Sequence, residues 1–159
     1  MANDTPNYAP ILGRIPSGIF ILTVRHGEDE TGMLASWVMQ AGFDPPMVSV
    51  AVKQGRYVAD WLAAGAAFAL NVVAENDKQF LKHFGRGFEP GQPAFEGVAI
   101  ARTDRGTPVL EGAIGYLECT AATHVDSGDH RIYLARVESG QLGRDERPMV
   151  HIRKSGLNY

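Results

Sequence analysis

Two long runs late in the chain, AIGYLECTAATHV (113–125) and HRIYLARVESGQL (130–142), constrain the fold more than any other feature. Both are rich in the β-branched and aromatic residues that favour extended backbone. Only DSGD separates them, a short turn that folds one run back on the other. They read as a long antiparallel hairpin.

The rest of the chain is punctuated in the same way. Its 159 residues include 18 Gly and 9 Pro, enough for many tight turns between short strands. GIFILTVRH (18–26) reads as a strand, followed by a charged hairpin tip, HGEDETG, flanked by Gly27 and Gly32. Met33 to Gln40 reads as one returning strand. Phe43-Asp44-Pro45-Pro46 is a corner, because neither Pro can donate to a ladder. Met47 to Val52 is a continuous apolar strand, and AAFALNVVA is another. RYVADWLAAG and DKQFLKHF read as short helices with apolar residues on one face. GRGFEPGQPA (85–94) is a loop, and MVHI with a basic-aromatic tail closes the chain. About seven strands, two or three short helices and no strand-helix alternation predict a mainly β fold, a barrel decorated with helices. Residues 1–10 read as an N-terminal arm and 11–159 as the domain.

A net charge of −3 implies no basic face and argues against nucleic-acid binding. No run reaches the ~20 apolar residues that cross a bilayer as a helix, and MANDTPNYAP lacks the features of a signal peptide. The expectation is a cytoplasmic protein with no membrane partner. The single cysteine, Cys119, sits in an apolar strand and reads as a buried small hydrophobe. The histidines lack metal-ligand spacing, so no metal site is expected.

The stretch from Gly32 to Arg56 carries the clearest chemical signal. Lys53 and Arg56 stand three apart at a turn from strand to helix, where free N–H groups add to their charge. They form an anion seat, or else are two surface cations on a polar loop.

GIFILTV, TGMLASWVMQAGFDPPMVSVAVKQGR, FALNVV and SGDHRIYLARVESG together resemble the flavin reductase-like family, which has an FMN-binding split barrel. LKHFGRGFEPGQPAFEGV, YLEC and HIRKSGLNY further resemble the C-terminal flavin reductase module of cyanobacterial flavodiiron proteins. Nothing in these residues supplies the diiron ligands or the flavodoxin half of those proteins. The resemblance implies a Greek-key split β-barrel, a homodimer, and non-covalent FMN (or FAD), with NADH or NADPH as hydride donor. Reduced flavin or electrons would pass to free flavin or to an acceptor protein. The alternative is a flavin-binding electron carrier without efficient NAD(P)H turnover; a haem or pyridoxamine-phosphate binder on the same barrel is a third reading.

The resemblance assigns the flavin phosphate to Lys53 and Arg56, and the ring to the segment Leu34, Ala35, Ser36, Trp37 and Val38. Ala51 and Val52 line the ring from the neighbouring strand. Asn71, polar in an apolar strand, holds either a ribityl hydroxyl or a backbone group. Phe84 and Arg86 lie where the family's loop approaches the flavin; otherwise they are a helix-packing ring and a solvated charge. His130, oriented by Asp129, positions nicotinamide and flavin, or simply caps its turn. Trp37 is alternatively a core or interface aromatic, and Ser36 a strand hydroxyl bonded to backbone. His151 is a weaker candidate, and Arg153 and Lys154 add local positive charge.

Overall fold

The computed structural model describes residues 5–159. In order the elements are α1 (Ala9–Gly13), β1 (Ser17–Gly18), β2 (Phe20–His26), β3 (Asp29–Ala35), β4 (Val38–Phe43), β5 (Pro46–Lys53) and α2 (Tyr57–Ala63). Then come β6 (Phe68–Val72), α3 (Lys78–Phe84), β7 (Ile100–Arg102), β8 (Pro108–Leu110), β9 (Gly115–Ser127), β10 (His130–Leu142) and β11 (Val150–His151).

Seven strands form one antiparallel sheet in the order β3-β2-β6-β9-β10-β5-β4. Laid flat, seven strands would span about 29 Å. Yet the two edge strands, β3 and β4, are joined by only Ser36 and Trp37, a link that reaches at most ~10 Å. The sheet must therefore curl into a barrel, split where β3 and β4 part. Trp37 holds the seam, its carbonyl accepting the Ala51 N–H at 3.0 Å.

The barrel interior is filled from alternate positions of each strand. Leu22 and Val24, Val48, Val50 and Val52, Phe68 and Leu70, and Cys119 and Tyr133 meet there. α2 plugs one end with Val58, Ala59 and Leu62, and Ala59 accepts a hydrogen bond from the Tyr133 hydroxyl. A second apolar cluster lies on the outside of β2 and β6. Ile19, Ile21 and Val73 are covered there by Phe80 and Phe84 of α3, Leu110 and Met149.

Several expectations need correction. The run Met33–Gln40 is not one strand, because closure of the sheet breaks it at Ser36–Trp37. The charged tip is shorter than expected. Gly27, at φ +62°, makes a tight turn with Glu28, and β3 starts at Asp29. The inner end of the expected arm opens α1, with Ala9 fully buried; the arm's first four residues lie outside the described residues. TDRGTPVLEG (103–112), whose Gly and Pro read as a turn region, instead contains β8, which pairs with β7. Among the described residues no helix is long and apolar enough to cross a membrane.

Candidate functional site

β5 sets up the site through its pleat. Val48, Val50 and Val52 point into the barrel, so Met47, Ser49, Ala51 and Lys53 stand on the outside. After Lys53 the chain turns through Gly55, at φ +84°, and Arg56 leads into α2. This brings the two cations to the rim of one cavity of about 320 Å³. Leu34, Ala35, Ser36 and Trp37 line it from the seam, Ala51 from β5 and Phe84 from α3. Gly32 makes room for Phe84: a Cβ there would lie 2.6 Å from the ring. The cavity is thus a slot with largely apolar walls and with Lys53, Arg56 and Arg153 on its lining.

Eight of the twelve residues expected to hold a cofactor line this cavity; the other four do not. Val52 is 1% exposed and belongs to the core, as the pleat requires of a residue next to Ala51. Val38 lies beyond Trp37, on an apolar groove with Met39, Ser49 and Ile132. Arg86 lies over the Phe88 ring, 5.4 Å from its centroid, in a neighbouring cavity of about 670 Å³. The two cavities share Met33 and Arg56. Asn71 is fully buried and its amide is used internally. It donates to the Ile21 carbonyl at 2.8 Å and to Thr23 Oγ1 at 3.0 Å, and accepts from the Leu110 N–H at 2.8 Å. Of the two partners open to Asn71, the backbone is the one it has.

His130 opens β10 directly opposite Lys53. The hairpin turn is pinned to the end of β5: Gln54 donates its N–H to the Asp129 carbonyl at 2.9 Å and its amide to the Gly128 and His130 carbonyls. The His130 ring is buried, 4.6 Å from the Trp37 ring centroid to centroid. Its Nδ1 lies 2.7 Å from Asp129 Oδ1, a contact that holds the Asp129 carboxyl below the usual range. The Asp129 carboxylate therefore faces the hydrogen on Nδ1. In the neutral ring Nε2 is then an acceptor, and it meets the hydroxyl of Tyr159.

Tyr159 was not anticipated. It lines the cavity with His151 and Arg153, and the Arg153 guanidinium lies 5.3 Å from the centroid of the Trp37 ring. The only sequence signal was the basic-aromatic character of the tail. Ile19, Met33, Leu81 and Gly85 complete the lining and carried no chemical signal. Cys119 is fully buried, and desolvation, with the nearby charge of Glu118, pushes its thiol up to about 12.

The comparisons with known proteins bear on the family and the fold. Residues 12–156 match the model of the flavin reductase like domain. Diflavin flavoprotein A 1 of Synechocystis sp. is 40% identical over 150 residues, 93% of this chain and 26% of that one. A diflavin flavoprotein of Nostoc sp. is 42% identical over 155 residues, covering 96% of this chain and 27% of its own. The chain thus spans about a quarter of the length of these relatives. Among solved structures, the NADH:FAD oxidoreductase of Streptomyces globisporus superposes with a TM-score of 0.82 at 27% identity, over 92% of this chain and 86% of that one. The styrene monooxygenase flavin reductase of Pseudomonas putida gives 0.78 at 26% identity, over 92% and 93%. The matched span runs from α1 to the segment that carries Arg153, and with it the chain belongs to the flavin reductase-like domain family.

Proposed function

We propose that this chain is an NAD(P)H-dependent flavin reductase that binds FMN non-covalently in the slot beside Ala51. The observation that carries this reading is the shape of the slot. Its largely apolar walls suit a flat ring, and Lys53 and Arg56, brought onto its lining by the turn from β5 to α2, suit the phosphate. Leu34, Ala35, Ser36 and Trp37 hold the ring edge, partly through backbone groups, and Phe84 closes the end of the slot. A bound flavin supplies a two-electron acceptor for hydride; the protein stacks and orients the rings and keeps water out. His130, held by Asp129 and packed on Trp37, positions the nicotinamide.

FAD would use the same phosphate seat. Its adenylate has room in the cavity beyond Arg56, where Arg86 and Phe88 stand. A second structure of the Streptomyces enzyme, at 25% identity and TM-score 0.80 over 90% of this chain and 85% of that one, holds NAD and FAD fragments. Electrons leave with reduced flavin or pass to an acceptor protein in the cytoplasm. The chain works as a homodimer, using the apolar groove beside β4, where Met39 is 66% and Val150 63% exposed.

The first test mixes the FMN-loaded protein rapidly with NADH or NADPH and follows flavin bleaching. Fast bleaching is expected; bound flavin that neither donor reduces would leave only an electron-carrier role. The second test is the double variant Lys53→Ala, Arg56→Ala. Loss of two charge-assisted contacts should weaken FMN about 100-fold, with riboflavin affinity almost unchanged. Equal losses for both ligands would place the phosphate elsewhere.

A further inference from the structure

We infer that Tyr159 occupies the nicotinamide's seat when no nucleotide is bound, and that its displacement sets the affinity for the hydride donor. This inference rests on the flavin reductase reading. The Tyr159 ring lies 5.9 Å from Trp37 and 6.0 Å from His130, centroid to centroid, and its hydroxyl meets His130 Nε2. A nicotinamide offers the same combination of a flat ring and a polar edge group. Its carboxamide N–H can donate to Nε2 as the tyrosine hydroxyl does.

The segment that carries Tyr159 is tied to α1 and to Arg153, whose guanidinium donates to the Asn158 carbonyl at 3.0 Å, while the Tyr159 ring stays largely exposed. Arg153 donates its N–H to the Gly13 carbonyl at 2.9 Å, and Gly156 to the Ala9 carbonyl at 2.7 Å. Gly156 lies so close to α1 that a Cβ there would be 2.0 Å from Leu12 Cβ. Beyond that anchor Leu157 is 53% exposed and Tyr159 72%. Tyr159 is therefore aimed at the site by its anchor, yet buries little of its own surface. Such a side chain is readily displaced.

Space points the same way. The slot holds about 320 Å³ with Tyr159 on its wall, near the lower limit of ~300 Å³ for pockets that take a single drug-sized ligand. A flavin ring and a nicotinamide stacked on it need more, and Tyr159, 72% exposed, is a lining residue that can swing out without disturbing the core. A nucleotide that evicts it must replace one hydrogen bond and one aromatic contact, together worth about tenfold in affinity.

The test is steady-state kinetics at saturating FMN with NADH, on the wild type, Tyr159→Ala and Tyr159→Phe. Tyr159→Ala should lower KM for NADH about tenfold and move kcat far less. Tyr159→Phe, which loses only the hydroxyl, should lower KM two- to threefold. In a Trp61→Phe background, which leaves Trp37 as the fluorescent indole, saturation with NAD+ should change the emission more when Tyr159 is present than in Tyr159→Ala. A KM that is unchanged or raised in Tyr159→Ala would overturn the inference, as would an FMN affinity weakened more than threefold. Wild-type protein that holds FMN but never reduces it with NADH or NADPH would overturn the reductase reading, and this inference with it.

Discussion

β5 and β6 are both apolar strands of the same sheet, yet only one of them borders the slot. On β5, burial alternates: Val48, Val50 and Val52 are buried, while Met47, Ser49 and Ala51 are half-buried and Lys53 is exposed. On β6, Phe68, Ala69, Leu70 and Asn71 are all buried. The difference is what lies on the outer face. Behind β6 stand α3 and β8, whose Leu110 bonds to Asn71. Behind Ala51 and Lys53 of β5 lies the slot, bordered by the Trp37 seam, Phe84 and the segment that carries Tyr159. A polar residue on the doubly covered strand holds the fold together. A polar residue on the singly covered strand is free to meet a ligand.

The sharpest way to break this contrast is Asn71→Ala. Truncation orphans the buried Leu110 N–H, at ~1–3 kcal/mol, and removes the amide's bonds to the Ile21 carbonyl and Thr23 Oγ1, at ~1 kcal/mol each. The urea midpoint should fall by the equivalent of about 3–4 kcal/mol, with FMN affinity of the folded protein within twofold. A tenfold loss of FMN affinity at unchanged stability would make β6 a ligand strand. Next, two neighbours on β5 should part company. Val52→Ala opens the core and should cost about 2 kcal/mol with little effect on FMN. Ala51→Leu should leave stability within ~0.5 kcal/mol and weaken FMN tenfold or more by filling the slot. Like behaviour of the two would mean that the pleat does not separate core from site.

The smallest effect concerns Cys119, which pairs with Phe68 of β6 across the sheet. Its thiol is raised from 9.0 to about 12, chiefly by burial. A folded pKa above the unfolded one gives stability that is present in full below pH 9 and declines as the pH rises toward 12. At pH 10 the decline from this group amounts to about 1 kcal/mol. Denaturation midpoints at pH 8 and 10 should therefore differ less in Cys119→Ala than in the wild type.

Much of this was legible from the chain. The 113–142 hairpin, β2, β5 and β6 announced themselves by composition, and α2 and α3 by the spacing of Val58, Leu62, Phe80 and Phe84. The break at Ser36–Trp37 did not, because neither residue disfavours extended backbone; closure of the whole sheet imposes it. Polar residues hid the first half of β3, since Asp29 and Glu30 sit where the hairpin projects into solvent. Asn71 could not be assigned without knowing that its strand is covered twice. Val52, in contrast, could have been excluded: next to Ala51 on a regular strand it has to face the other way. Tyr159 is far in sequence from the residues it meets, and only the anchor of Gly156 on α1 brings it there.

The link of Gln54 to His130 spans 76 positions of the chain, and it bears on the order of folding. The β2–β3 and β9–β10 hairpins close over tight turns and can form early. The pairing of β5 with β10 closes a long loop, the kind of step that makes high-contact-order proteins slow. That pairing fixes the end of β5 and sets Lys53, on the lining of the slot, beside His130. A refolding chain should therefore regain most of its backbone signal before it can quench flavin fluorescence. Flavin capture then marks the last step of folding, and an unfinished chain stays unloaded.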